Sequence, residues 1–364
     1  MFTYRSEALA QEIVANLKAM ERPMRLMHVC GTHQDTLMRY GLQSLLQEVG
    51  VEIRAGPGCP VCVTTAREIE EAIALARSGK VIATFGDMFR VPGEQHSLAD
   101  VKAEGHDVRM VYSITDCLAI AERTAKDVIF FSIGFETTAP LPASIILNNP
   151  PPNFSILSAH RLIPPAMDAL LKMGELKIDG FIDPGHVSAI IGAAAYEFIS
   201  RTYHIPQVIA GFEPLDVLIA VYMLALQLRR GEAKVENEYT RVVKHGGNEK
   251  AKRILAAVFE PCDIGWRGFP VIPGSGLTLK EEFAAYDARK RYEDELCALQ
   301  GEYEEPEGCS CGAILRGILE PCECPLFGTT CTPQHPVGPC MVSREGSCNI
   351  VFRYSAKGAP STTP

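Results

Sequence analysis

Residues 127–140 read DVIFFSIGFETTAP. Val128 to Phe131 is apolar without a break, Ser132 and Ile133 extend the run, and Gly134 ends it in an acid and two threonines. An apolar run that does not alternate is the pattern of a strand covered on both faces, as a parallel sheet requires. The same unit recurs outward in both directions, at Arg25–Val29, Val51–Ala55, Val81–Phe85, Arg109–Ser113, Phe154–Ser158, Gly180–Ile182 and Gln207–Ala210. Helical stretches lie between these runs, at Thr64–Ser78, Thr115–Thr124, Ala166–Gly174, Val187–Arg201 and Leu215–Arg229. Alternating strands and helices predict an α/β architecture. We expect two parallel-sheet α/β domains, residues 1–125 and 126–245, each opening on a strong strand with a chemical motif at its end. Residues 246–364 form a third, Cys-rich part. It is introduced by an amphipathic helix at Leu279–Gln300, with Arg289, Lys290 and Arg291 on a solvated face, and by the acidic loop Gly301–Gly308.

Composition narrows the function classes. The chain has 364 residues, 47% hydrophobic and 22% charged, a balance that builds real cores and excludes disorder as the main state. A net charge of −9 and the lack of any long basic block argue against a nucleic-acid partner. The longest apolar run, Val217 to Leu228, is too short to cross a bilayer, which needs about 20 residues. The N-terminal residues carry acids early and lack the pattern of a signal peptide, so a cytoplasmic protein is expected. In a reducing compartment its 13 cysteines are free for metal or redox work.

The polar ends of the strands carry that chemistry, since ligands of open α/β sheets bind beyond the carboxyl ends of the strands. Cys30 ends the first strand and is followed by Gly31, Thr32 and His33. A nearby imidazole and a helix N-terminus should depress its pKa and make it a nucleophile or a soft metal ligand. Cys59-Pro60-Val61-Cys62 follows a strand and Gly-Pro-Gly and opens a helix, the arrangement of thioredoxin-type dithiols. Half of a zinc site is the competing reading, but no second CxxC is present. Cys309, Cys311, Cys322, Cys324, Cys331, Cys340 and Cys348 crowd a Gly- and Pro-rich segment. They fit an all-thiolate site, and spacing does not choose between zinc and an iron–sulfur cluster. Glu136 reads as a base or binding acid, or its segment as a helix start capped by Thr137; His186 sits at a turn, and Glu213 begins a helix, where an acid complements the dipole. No GxxxxGK[ST], GxGxxG or nucleophile elbow occurs.

Eight ordered segments resemble the HypD family of hydrogenase maturation factors: MHVCGTH (27–33), GPGCPVC (56–62), FSIGFETTAP (131–140), PGHVSAIIG (184–192), GFEPLD (211–216), CGAILRG (311–317), CPLFGTTCTP (324–333) and GPCMVSREGSC (338–348). Gln34 departs from the acid that relatives often carry there. The resemblance implies a scaffold on which the Fe(CN)2CO centre of [NiFe] hydrogenases is assembled with a HypC-type chaperone and a HypE-type cyanide donor. It implies that Cys30 ligates the nascent iron, with His33 orienting or deprotonating that thiol, and that Cys59 and Cys62 are redox-active. It also implies a C-terminal [4Fe–4S] cluster, with Cys309, Cys324, Cys331 and Cys348 as ligands and Cys311 or Cys340 as substitutes. The alternative is a stand-alone thiol oxidoreductase with a structural metal.

Overall fold

A computed structural model of the chain describes residues 6–175, 177–299, 303 and 305–355. It is an α/β protein with two parallel sheets, one antiparallel hairpin and a Cys-rich C-terminal segment. The strands are β1 (Met24–His28), β2 (Val51–Ala55), β3 (Val81–Thr84), β4 (Val108–Met110), β5 (Val128–Gly134), β6 (Phe154–His160), β7 (Gly180–Pro184), β8 (Gln207–Ala210), β9 (Val235–Asn237), β10 (Phe259–Gly265) and β11 (Val271–Leu279). All eight expected runs are strands; β9 and the hairpin strands were not anticipated. β10 contains Pro, Gly and two acids and is largely uncovered, and Pro and two Gly interrupt β11, so neither carries the doubly covered apolar signature.

The strand orders are β2-β1-β7-β8-β9 and β4-β3-β5-β6, every pair parallel. The second sheet is thus one continuous piece of chain, while the first combines strands from residues 24–55 with strands from 180–237. Sheet membership differs from the expected halves 1–125 and 126–245, because that boundary falls between β4 and β5 inside one sheet. Buried parallel strands all read alike, so which runs pair is set by crossover packing. Within residues 246–299, helix Glu249–Val258 packs on helix Pro140–Leu147 and β11 packs on β6, while Trp266 and Tyr292 share a core with the C-terminal cysteines.

The continuous helix expected at Leu279–Gln300 is broken among the described residues. Leu279 ends β11, and a 3-10 turn Glu281–Tyr286 and the short helices Ala288–Arg291 and Glu293–Leu296 follow. The three basic residues are not a free solvated face: Lys290 pairs with Glu281 at the surface, and the other two reach further. Arg289 reaches Glu71 (2.8 Å) and the Ser158 carbonyl (2.5 Å), and Arg291 reaches Asp127 (2.8 Å). The expected loop Gly301–Gly308 lies partly outside the described residues.

β5 shows why these sequences make this architecture. Ile129, Phe131 and Ile133 enter one apolar layer, while Val128 and Phe130 enter the opposite one. Each such fully buried side chain contributes about 1.5–3 kcal/mol relative to exposure. The first layer also takes Met27 and Phe181 from the other sheet, Cys59 and Cys62, and Cys311, Cys324, Cys331, Cys340 and Cys348. It is therefore where both sheets meet the thiols.

Both sheets reverse their winding direction once, between β1 and β7 and between β3 and β5. Such switch points open a crevice at the carboxyl edge. The first crevice begins at Cys30 and Gly185. Its floor is closed by glycines: a Cβ on Gly58 would lie 2.1 Å from Cys30 N, and one on Gly31 would lie 2.5 Å from the Glu345 carbonyl oxygen.

Two outcomes follow from this packing. Gly58→Ala should lower stability by about 1–3 kcal/mol through overpacking. The exposed Gly86→Ala, whose nearest neighbour is Met110 Sδ at 4.0 Å, should stay within about 0.5 kcal/mol of wild type; urea midpoints at constant slope check both. The buried His160, bonded to Ser132 Oγ at 2.7 Å, is held down to about 4 by desolvation. The unfolded chain therefore binds that proton first, and stability present above pH 6.5 is lost as pH falls toward 4, at about 1.4 kcal/mol per unit for this one group. His160→Gln should flatten that part of the stability–pH curve.

Candidate functional site

Cys30 is the N-cap of helix Gly31–Arg39, with φ −154° and ψ 126°. β1 delivers it to the switch point, Gly31 turns the chain, and Gly31 N–H donates to Gly58 O at 3.1 Å. The thiol is buried, and burial pushes it up to about 11, although the backbone N–H groups of His33 and Thr32 pull the other way. The thiol is thus raised rather than depressed as expected, because desolvation outweighs the helix N-terminus.

The His33 ring turns away from the sulfur. Its Nε2 meets the Ala210 and Gly211 carbonyls at 3.3 and 3.0 Å, it packs on Phe212, and Nδ1 has no partner among the described residues. Burial holds its pKa down to about 3, so the ring is a neutral donor to those carbonyls. What reaches Cys30 from His33 is the backbone amide. His28 completes this corner: its Nδ1 accepts from Cys30 N (3.5 Å), and its Nε2 meets Gln34 Oε1 at 2.6 Å. Gln34 thus serves as the hydrogen-bond partner of a buried histidine. His186, expected at a turn, lies in the first turn of helix Gly185–Ile191 and stacks on Phe212 with ring centroids 3.9 Å apart.

Around Tyr196 lie two buried acids that the sequence pointed to only in part. Asp183 on β7 is fully buried with neither carboxylate oxygen partnered among the described residues, and desolvation raises its pKa well above the usual range. Glu136 accepts from Ile163 N at 3.0 Å, leaves Oε2 unpartnered, and is pushed up to about 7 by burial. Tyr196, whose hydroxyl accepts from Ser188 at 3.1 Å, lies within electrostatic reach of Asp183, Glu136 and Cys30. Asp183 carried a signal, an acid ending a strand before Pro-Gly-His; Tyr196 carried none. Thr137 caps nothing, since the helix that follows starts at Pro140 with Ala139 as its N-cap. Glu213, as expected, stands at the start of a helix, as the N-cap of Pro214–Arg230.

Cys59 and Cys62 are joined in a disulfide. Cys59 caps a short helix, Pro60–Val63, that ends at Thr64 before the longer helix Ala66–Arg77 begins on its own Thr65–Glu68 box. The motif therefore sits on a separate turn, packed against helices Cys311–Leu315 and Pro339–Val342.

Six of the seven C-terminal thiols line one cavity: Cys309, Cys311, Cys324, Cys331, Cys340 and Cys348. Cys322 is exposed and lies elsewhere, beside Arg54 and Glu320. Hydrogen bonds link Cys309 to Cys311, Cys311 to Cys340 and Cys340 to Cys348. The first two, together with Arg267, hold the Cys311 thiol well below its ordinary value. Val337 N–H donates to Cys331 Sγ at 3.3 Å, and a Cβ on Gly338 would strike Cys309 Sγ at 2.5 Å. Among the described residues no three His, Cys, Asp or Glu side chains are arranged to hold a metal ion. The donor set still fits a thiolate-held centre, with soft ligands, an inward-pointing amide and glycine where a side chain would fill the space. No helix of the described residues is long and apolar enough to cross a membrane.

Comparison with known proteins agrees with this arrangement. The family model described as HypD, hydrogenase formation hypA family, matches residues 5–355. A putative hydrogenase expression/formation protein of Methanocaldococcus jannaschii is 48% identical over 91% of this chain and 92% of its own length. Hydrogenase maturation factors HypD of Rhizobium leguminosarum bv. viciae and Azotobacter vinelandii are each 44% identical over 96% of this chain, covering 94% and 95% of their own lengths. With its motifs gathered on one edge of the fold and its whole described length matched, this chain belongs to the HypD family of hydrogenase maturation factors.

Proposed function

We propose that the chain is a scaffold on which the Fe(CN)2CO iron of [NiFe] hydrogenases is built, with Cys30 as the protein ligand of that substrate iron. The observation that carries this reading is the continuity of the thiols. The Gly56–Gly58 loop seats Cys30 through Gly31 N–H to Gly58 O, and leads directly into the Cys59–Cys62 turn. That turn packs on the two helices bearing Cys311 and Cys340.

Cys30 is stored as a neutral thiol and releases its proton when iron binds, which keeps an empty buried site from carrying charge. The Thr32 and His33 amides then face a thiolate, the state they favour. Asp183 and Glu136, buried with free oxygens, hold protons beside the crevice at neutral pH. Reducing the Cys59–Cys62 disulfide takes two electrons and two protons and yields two thiols. Cys309, Cys324, Cys331 and Cys348 would hold a [4Fe–4S] cluster, with Cys311 or Cys340 in reserve. When bound, it supplies one-electron transfer. A HypC-type chaperone would share the iron and a HypE-type donor would deliver cyanide at the crevice.

Cys30→Ala should abolish hydrogenase maturation in a deletion host and leave iron and acid-labile sulfide at wild-type content; normal maturation would sink the scaffold role. Anaerobically purified chain should carry about four irons and four sulfides. One zinc without sulfide, together with turnover of a dithiol substrate that ignores Cys30, would favour a thiol oxidoreductase.

A further inference from the structure

Arg267 is 1% exposed and lies outside the motifs that define the thiol sites. Its position is imposed by a glycine crossing. Gly268 has φ +79°, and a Cβ there would come within 2.3 Å of Gly312 Cα. This brings Arg267 against the start of the helix that carries Cys311. The residue grips the dithiol turn from the other side. Its N–H donates to Val63 O at 2.9 Å and its Nε donates to Thr64 O at 2.9 Å, both carbonyls just past Cys62. Nη1 donates to the Glu305 carboxylate at 2.5 Å, and Nη2 is buried with no partner among the described residues. Cys311 opens the helix that begins at this crossing and lines the thiol cavity, so the buried guanidinium and the carboxylate it binds stand beside one wall of that cavity with opposite charges.

We propose that Arg267 is a positioning residue that sets the reduction potential of the centre in the six-thiol cavity and ties that cavity to the Cys59–Cys62 turn. This rests on the cluster assignment above. A thiolate-held cluster gains a negative charge on reduction, and a buried cation favours the reduced form because little solvent screens it. Glu305 offsets part of that charge. The two residues therefore act on one potential in opposite directions, which a purely structural role for either does not produce.

The test is an EPR-monitored redox titration at pH 8 of wild type, Arg267→Gln, Arg267→Lys and Glu305→Gln, each assayed for iron and sulfide. At a fixed potential, Arg267→Gln should lower the reduced-to-oxidised ratio by about tenfold, about 59 mV for one electron. Arg267→Lys should stay near wild type, and Glu305→Gln should move the other way. Fully loaded Arg267→Gln and Glu305→Gln proteins that titrate with wild type would overturn the inference and leave the cluster reading intact. Wild-type chain without iron and sulfide would overturn both. If Arg267→Gln does not fold, Glu305→Gln decides alone: its side chain is 37% exposed, and glutamine keeps an acceptor for Nη1.

Discussion

The approach of Gly58 to the Val29–Cys30 peptide is the contact on which the rest of the arrangement depends. At that distance only a hydrogen fits where a side chain would start, and the Gly31 to Gly58 hydrogen bond closes the contact. One peptide thus joins the end of β1 to the loop after β2. It fixes the iron-ligand candidate and the dithiol in one rigid piece, although 29 residues separate Cys30 from Cys59. Preorganisation of this kind is what a scaffold for an unstable metal centre requires, because no binding energy is spent on ordering the donors.

Burial governs the chemistry on both sides of that contact. It raises Cys30, Asp183 and Glu136 and lowers His28, His33 and His160. Every one of these shifts favours the neutral form. The exception lies in the thiol cavity, where hydrogen bonds from Cys309 and Cys340, with the Arg267 charge, hold Cys311 toward the thiolate.

The C-terminal segment completes both sites. Ser343 Oγ and Arg344 N–H donate to Asp87 at the carboxyl end of β3, Arg353 pairs with Asp35 at 3.3 Å, and helix Ser347–Tyr354 packs on the helix that Cys30 caps. The segment bearing Cys340 and Cys348 therefore grips both sheets at their carboxyl edges. A loop-rich segment with little apolar core of its own gains its order from these contacts.

The α/β class, the eight strand runs and the thiols at their ends were legible in the residues, because apolar runs and Gly-rich turns are local signals with local physical causes. The family resemblance was legible for the same reason, as its motifs are contiguous. Pairing was not. Strands such as VIATF and VIFFSI bury both faces alike, so nothing in them says that β1 joins β7 or that β3 joins β5. Nor could residues far apart reveal that His33 spends its ring on Gly211, that six thiols share one cavity while Cys322 stands apart, or that Tyr196 faces Cys30. Those facts depend on which helices cross which sheet edges, and that is settled by the packing of distant apolar surfaces against one another.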